Sequence, residues 1–210
     1  MYNKPMKKKI PNIVIGRLTL YHFILRDYLS EGAEYISSGQ IAKLLNIDDS
    51  QVRKDLNLLK NSGKNRIGYP VKALKDSIEQ TLGFAKTKRA IIIGAGNLGM
   101  ALAKYDNFQN YGLSITCLFD TDPKIVGAEI NNKKIYDMKE LPVYIWKEFP
   151  DIAILTVPSS QAQKSAQYLV NLGIKYIWNF TPVVLDVPEN VQVWNENITG
   201  NFLQFSYGIQ

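Results

Sequence analysis

The richest chemistry lies at residues 89–99, where the apolar, β-branched run Arg89-Ala90-Ile91-Ile92-Ile93 leads into Gly94-Ala95-Gly96-Asn97-Leu98-Gly99. This is a G-x-G-x-x-G pattern behind a strand signal, and Met100-Ala101-Leu102-Ala103 then opens a helix. Each glycine has a physical use. Gly94 permits a tight turn, Gly96 lets the backbone approach a pyrophosphate, and Gly99 lets the helix pack close to the strand. Unpaired N–H groups and the positive end of the helix dipole would then face the phosphates. A second strand, Ser114 to Phe119, ends at Asp120, 21 residues beyond Gly99. A carboxylate about 20 residues on is placed to accept from both ribose hydroxyls. It would repel a 2′-phosphate, and only Thr121 and Asp122 follow it, so NAD(H) is expected over NADP(H).

A second constellation follows Asp48, which reads as a helix N-cap with Gln51 three residues later, the pattern of a capping box. From Asp49 to about Lys60, the spacing of Val52, Leu56 and Leu59 points them inward and leaves Ser50, Gln51, Arg53, Lys54 and Asn57 on the other side. Arg, Gln and Asn can each place two hydrogen bonds on one base edge. An earlier short helix, capped by Ser37 or Ser38 and striped by Ile41, Leu44 and Leu45, ends at the polar break Asn46-Ile47-Asp48. Two helices joined by such a turn form a helix-turn-helix, whose second helix enters the major groove of double-stranded DNA. The turn-rich stretch 61–70 then reads as a hairpin wing. Its Lys64 and Arg66, with Lys60 before them, would reach phosphates or a minor groove. A solvated face on a small helical bundle is the plain alternative.

These groups need elements to hold them. Ile13, Leu18, Tyr21, Ile24, Leu25 and Leu29 recur at helical spacing before Gly32, and a further helix runs from Val71 to Leu82 before Gly83. Beyond Asp120, residues 151–157 read as a strand ending at Pro158, then a helix from Ser159, then a strand over 175–180. Alternating strands and helices indicate an α/β unit with a doubly wound parallel sheet, Rossmann-like, whose ligand lies at the carboxyl ends of the strands. Thr156, Val157, Pro158, Asn179 and Phe180 are therefore candidates to flank a nicotinamide, or are ordinary strand-end residues. The expected organisation is a winged-helix unit over 1–86, a dinucleotide-binding unit over 87–190, and a C-terminal dimerisation segment over 191–210.

Bulk properties fit that division. Of the 210 residues, 46% are hydrophobic and 21% charged, an ordinary globular balance. The net charge of +6 is unevenly placed: residues 1–86 carry 15 Lys+Arg against 8 Asp+Glu, residues 87–210 carry 10 against 11. The basic excess suits a polyanion partner, or a solubilising surface with a lysine-rich tail. No apolar run approaches a membrane span, Lys4, Lys7, Lys8 and Lys9 precede no apolar signal segment, and the single Cys117 cannot form an internal disulfide. A cytoplasmic setting without membrane attachment is expected.

Catalytic chemistry is not evident. The only histidine, His22, falls on the first helix, where packing or surface exposure suits it better than proton transfer. There is no Tyr-x-x-x-Lys pair and no metal-ligand cluster. Binding rather than turnover is the expected function. A small NAD-dependent oxidoreductase with an extra helical unit is the alternative, and a Rossmann module for another nucleotide such as a CoA or an acyl-adenylate is a third reading.

The order of motifs resembles the Rex family of redox-sensing transcriptional repressors. It rests on Gln51-Val52-Arg53-Lys54-Asp55-Leu56, Gly68-Tyr69, Ile93 to Gly99, Phe119-Asp120, Asp122-Pro123-Lys124, Ile154 to Pro158 and Asn179 to Val183, across about residues 11–200. The resemblance implies a homodimeric repressor bound to operator DNA, released by NADH and favoured by NAD+. It also implies a C-terminal helix, Ile198–Ser206, exchanged between subunits, which suits the apolar Phe202, Leu203, Phe205 and Tyr207. Tyr105 matches a family position near the cofactor and the subunit contact, or is a helix-surface tyrosine. The chain departs from the family where Phe23 replaces an arginine and Asn197 an aspartate, a pair the resemblance ties to switching. A divergent member or paralogue, with DNA and dinucleotide binding retained and the redox response altered or lost, is the further expectation.

Overall fold

The computed structural model describes residues 10–59, 67–84 and 86–209. The chain divides into two compact units, Met1–Ala85 and Lys86–Gln210.

In the first unit, α1 (Asn12–Ser30) buries Val14, Leu18, Tyr21, His22 and Leu25. Of the six apolar positions at helical spacing, Leu18, Tyr21 and Leu25 are fully buried, while Ile13 is 71% exposed and Leu29 also faces solvent. The buried face is centred on Leu18, Tyr21 and Leu25, and Val14 and His22 share it instead of the outlying Ile13 and Leu29. After the left-handed Gly32, strand β1 (Tyr35–Ile36) leads into α2 (Ser38–Leu45) and then α3 (Asp49–Asn57). A capping box does form, but at α2: the Ser37 hydroxyl accepts from Gln40 N at 3.1 Å, and Gln40 Oε1 accepts from Ser37 N at 2.8 Å. At α3 Asp48 alone caps, accepting from Ser50 N at 2.7 Å. The side chain of Gln51 is drawn the other way, along the helix to Asp55. Helix α3 stops at Asn57, short of the expected Lys60.

Lys60, Lys64 and Arg66, and with them most of the expected wing, lie outside the described residues. The described end of that stretch, β2 (Tyr69–Pro70), pairs antiparallel with β1. Gly68 is left-handed at φ +104°, and a Cβ there would lie 2.5 Å from the Ile36 carbonyl oxygen, so the close approach needs glycine. Helix α4 (Val71–Leu82) follows where expected and ends at left-handed Gly83. Its Val71, Leu74 and Ile78 close the core with α1 and the inward residues of α2 and α3.

The second unit is built on a seven-stranded sheet. Its strands are β3 (Lys88–Ile93), β4 (Leu113–Asp120), β5 (Glu129–Ile130), β6 (Lys133–Asp137), β7 (Ile152–Leu155), β8 (Tyr176–Asn179) and β9 (Gln192–Asn195), in the order β5-β6-β4-β3-β7-β8-β9. All neighbours are parallel except β5, which forms a hairpin with β6. From β3 the chain moves outward to β4 and β6, then returns to β7 on the other side, creating a topological switch point between β3 and β7. The fold is thus the expected doubly wound α/β sheet. Sequence patterning missed β5, β6 and β9, whose exposed positions interrupt the apolar runs. Strand β9 also modifies one expectation: the segment 191–210 opens inside the sheet beside β8 before reaching α8 (Ile198–Tyr207).

One face of the sheet is covered by α6 (Leu141–Glu148), α7 (Ser159–Asn171) and the stretch around Leu185 and Val191. The other is covered by α5 (Asn97–Lys104) and a 3-10 turn at Asp106–Tyr111, whose Phe108 packs on Trp178. Among the described residues no helix is long and apolar enough to cross a membrane.

Candidate nucleic-acid interface and dinucleotide site

Helix α3 carries its candidates in two ways. Ser50, Arg53, Lys54 and Asn57 are exposed, and among the described residues Arg53 is held by Asp49 one turn earlier, Nη1 to Oδ2 at 2.8 Å. An exposed i,i+4 pair of this kind contributes roughly 0.3–0.5 kcal/mol, so the guanidinium is free to exchange it for another acceptor. Gln51 is different. It sits at the edge of the buried face and donates from Nε2 to Asp55 Oδ1 at 2.9 Å.

Asp55 is the centre of a network that sequence patterning did not identify. Its carboxylate is buried, yet all four acceptor positions are filled. Oδ2 accepts from Arg17 Nε at 2.6 Å and Tyr21 Oη at 2.8 Å, and Oδ1 accepts from Arg17 Nη2 and Gln51 Nε2, both at 2.9 Å. Burial alone would push this carboxyl up; the hydrogen bonds from Arg17, Tyr21 and Gln51 overcome that and hold it below the ordinary carboxylate range. Burial and the same carboxylate push the Tyr21 phenol well up. The signal available in the sequence was an aspartate on the apolar face of a helix, three residues from Val52 and next to Leu56, which demands a partner.

In the second unit the carboxyl ends of β3, β4 and β7 converge. Gly94 is left-handed at φ +97°, and a Cβ there would stand 3.0 Å from both the Thr156 carbonyl and Val157 Cγ1. At Gly99 a Cβ would fall 2.1 Å from Gly94 O, so α5 packs against the turn more closely than any side chain allows. Gly96 faces open space and caps α5 without a side-chain hydrogen bond. Asn97 and Leu98 follow it in the exposed first turn. The helix therefore begins with backbone donors that no side chain among the described residues has claimed, an arrangement that fits a diphosphate.

Asp120 accepts from Ala95 N at 2.6 Å through Oδ2, and from Thr121 N at 2.7 Å and Asp122 N at 3.0 Å through Oδ1. It ties the end of β4 to the glycine turn while remaining part-exposed beside it. The Thr156 hydroxyl lies 2.7 Å from Gly94 O and 3.1 Å from Ile93 O, pinning β7 to the same turn across the switch point. Val157 lines that contact, and Pro158 precedes α7.

The remaining candidates take other positions. Asn179 is fully buried with its amide engaged throughout: Nδ2 donates to Val183 O and Asn195 Oδ1, and Oδ1 accepts from Thr181 N and Oγ1. It holds β8, β9 and the following loop together. Phe180 continues the ladder through its N–H to Leu155 O at 2.9 Å, and its ring packs on Trp178. Tyr105 ends α5, with its ring edge-on to Phe108 and its hydroxyl accepting from Asn107 Nδ2 at 3.0 Å. An eight-residue helix spans about 12 Å at 1.5 Å per residue, so Tyr105 stands at the far end of α5 from the glycine turn. Among the described residues no group of His, Cys, Asp and Glu could hold a metal.

Comparison with known proteins accords with both units. Residues 9–57 match a protein-family model described as a putative DNA-binding protein N-terminus, and residues 85–183 match one described as a CoA binding domain. The chain is 42% identical over 197 residues to the redox-sensing transcriptional repressor Rex of Treponema denticola, covering 93% of this chain and 94% of that one. It is 38% identical over 204 residues to the protein of the same name from Clostridium acetobutylicum, covering 97% and 95%. Among solved structures it resembles RSP in complex with β-NAD+ and operator DNA, with a TM-score of 0.90, 36% identity and coverage of 96% and 93%. RSP in complex with β-NADH gives a TM-score of 0.86 at 36% identity, with coverage of 95% and 94%.

Proposed function

The chain belongs to the Rex family of redox-sensing transcriptional repressors, and from that premise we propose that it binds operator DNA through its first unit and NADH or NAD+ through its second. It represses while on the operator and leaves it when NADH binds. Relatives of this identity are named as repressors, which removes the oxidoreductase alternative. The observation that carries the ligand half is the start of α5, capped by no side chain, against a turn in which Gly94 and Gly99 leave no room for a Cβ.

In this reading Ser50, Arg53, Lys54 and Asn57 meet the major groove, Gln51 reads a base edge, and Lys60, Lys64 and Arg66 meet the flanking backbone or minor groove. Gly94, Ala95, Gly96, Asn97, Leu98 and Gly99 cradle the pyrophosphate. Asp120 accepts from the adenosine ribose, sharing its oxygens with the backbone donors it already holds. Thr156, Val157 and Pro158 flank the nicotinamide, with Asn179 and Phe180 shaping that wall from behind. Tyr105 meets the second subunit. The protein works as a cytoplasmic homodimer that exchanges α8, a reading supported by Phe202, Leu203, Phe205 and Tyr207, each at least 60% exposed on a helix with no buried residue.

Fluorescence anisotropy on a labelled palindromic duplex from the protein's own promoter region tests this at one fixed salt concentration. Binding released by NADH, and not by NAD+ or coenzyme A, is the expected result. Equal release by NAD+ and NADH would end the redox-sensing version, and release by coenzyme A alone would reassign the second unit to the ligand in its family description. Light scattering tests the dimer, and a monomer at micromolar concentration would contradict the α8 exchange.

A further inference from the structure

The geometry points to Asp55 as a positioning residue for base recognition, acting through Gln51: the buried carboxylate fixes the Gln51 amide so that its carbonyl oxygen and remaining N–H present one orientation to adenine in the major groove. The inference rests on the operator-binding reading above.

A carboxylate only accepts, so the side of the Gln51 amide that faces Asp55 Oδ1 at 2.9 Å must be the nitrogen. The amide oxygen consequently faces away from Asp55. One of the two amide hydrogens is spent on the carboxylate and the other is left beside that oxygen. An acceptor and a donor side by side match the N6–H and N7 of adenine, the pairing that glutamine makes across one base edge. Rotating the amide by half a turn would put oxygen against carboxylate, so the complementary donor–acceptor order is penalised.

Asp55 cannot itself turn to accommodate the flip. Arg17 grips it through two parallel hydrogen bonds and Tyr21, fully buried, donates to the same oxygen as Arg17 Nε. Arg17 and Tyr21 both belong to α1, four residues apart, so the orientation of a side chain on α3 is set by a different helix. Planar, paired recognition of a carboxylate is what arginine does best among the cations, and it defines direction as well as distance. Gln51 is thus pre-oriented rather than searching, the arrangement that lowers the ordering cost of a contact.

The test uses the full chain and the duplex it enriches from a randomised pool. Every base pair of that duplex is then substituted singly, and binding is measured for wild type, Gln51→Ala, Asp55→Asn, Tyr21→Phe and the Gln51→Ala/Asp55→Asn double variant. Wild type is expected to prefer adenine at one position per half-site by about tenfold. Gln51→Ala and Asp55→Asn should each flatten that one preference, with unchanged affinity for NADH. Because Asp55 acts through Gln51, the double variant should lose no more than Gln51→Ala alone. Tyr21→Phe keeps the volume, removes one donor, and should lose part of the same preference even if Asp55→Asn does not fold. A Tyr21→Phe or Asp55→Asn chain with the wild-type base profile would overturn the inference, as would uniform weakening on all duplexes. A wild-type chain that enriches no duplex overturns the operator reading and this inference together.

Discussion

Helix α3 begins under the carboxylate of Asp48, and helix α5 begins under a glycine. In α3 the cap occupies the Ser50 N–H, and what remains for a ligand is a row of side chains: Ser50, Arg53, Lys54 and Asn57 outward, Gln51 held at the edge. In α5 the cap has no side chain, the next residues are exposed, and what remains for a ligand is the backbone itself. The difference matches what each helix is proposed to meet. Base edges vary, so reading them requires varied side chains. A pyrophosphate is the same in every dinucleotide, so N–H groups at a helix start suffice, provided the helix approaches closely enough. The two carboxylates that organise the sites differ in the same sense. Asp55 is buried and saturated by side chains of α1 and of its own helix, while Asp120 is part-exposed and held by backbone N–H groups of its own turn and the glycine turn, with acceptor capacity left over.

The comparison breaks most severely at Gly99. Gly99→Ala sets a methyl group against Gly94 O and should destabilise the second unit by roughly 1–3 kcal/mol, the usual cost of overpacking. Dinucleotide binding should be lost with it, as NADH fluorescence titration and thermal unfolding will report. Arg53→Ala acts on the other helix: it should cost about 1–3 kcal/mol of operator discrimination with NADH affinity intact. Thermal midpoint should barely move, since only the exposed Asp49 pair is lost.

A sharper contrast comes from giving α5 the kind of cap α3 has. Gly96 has extended backbone and open space around its Cβ position, so Gly96→Asp should fold normally. Its carboxylate would then claim the N–H groups and repel phosphate, weakening NADH binding by about tenfold or more, equivalent to 1.4 kcal/mol. An aspartate at Gly96 that leaves NADH affinity unchanged would remove the backbone cradle from the proposal.

The smallest effect concerns pH. Asp55 has a lowered folded-state pKa, so its contribution to stability is fully present above the unfolded carboxyl value of about 3.9 and is lost as pH falls below it towards the folded value. Chemical unfolding of wild type between pH 7 and pH 3 should therefore show a loss that Asp55→Asn does not share. An equal loss in both would detach the network from acid stability.

Much of the second site was written in local order. The glycine spacing, the β-branched run before it and the aspartate after the next strand are all properties of neighbouring residues, so strand, turn, helix and ligand class could be read without coordinates. The same holds for the helix-turn-helix, where Asp48, the apolar spacing of Val52 and Leu56, and the outward Arg53 lie within one short segment. Strands β6 and β9 were not legible because they lie near the margins of the sheet, where partial exposure interrupts the apolar pattern. Tertiary structure alone decided the fates of Gln51 and Asn179. Local pattern makes both polar and available, but Gln51 turns along its helix because Arg17 and Tyr21 anchor an aspartate there, and Asn179 is consumed by Val183, Asn195 and Thr181. Sequence determines which groups can hydrogen-bond and at what spacing along the chain; only the meeting of distant segments determines which partner each group obtains, because a buried polar group takes whatever donor or acceptor the packing brings within reach.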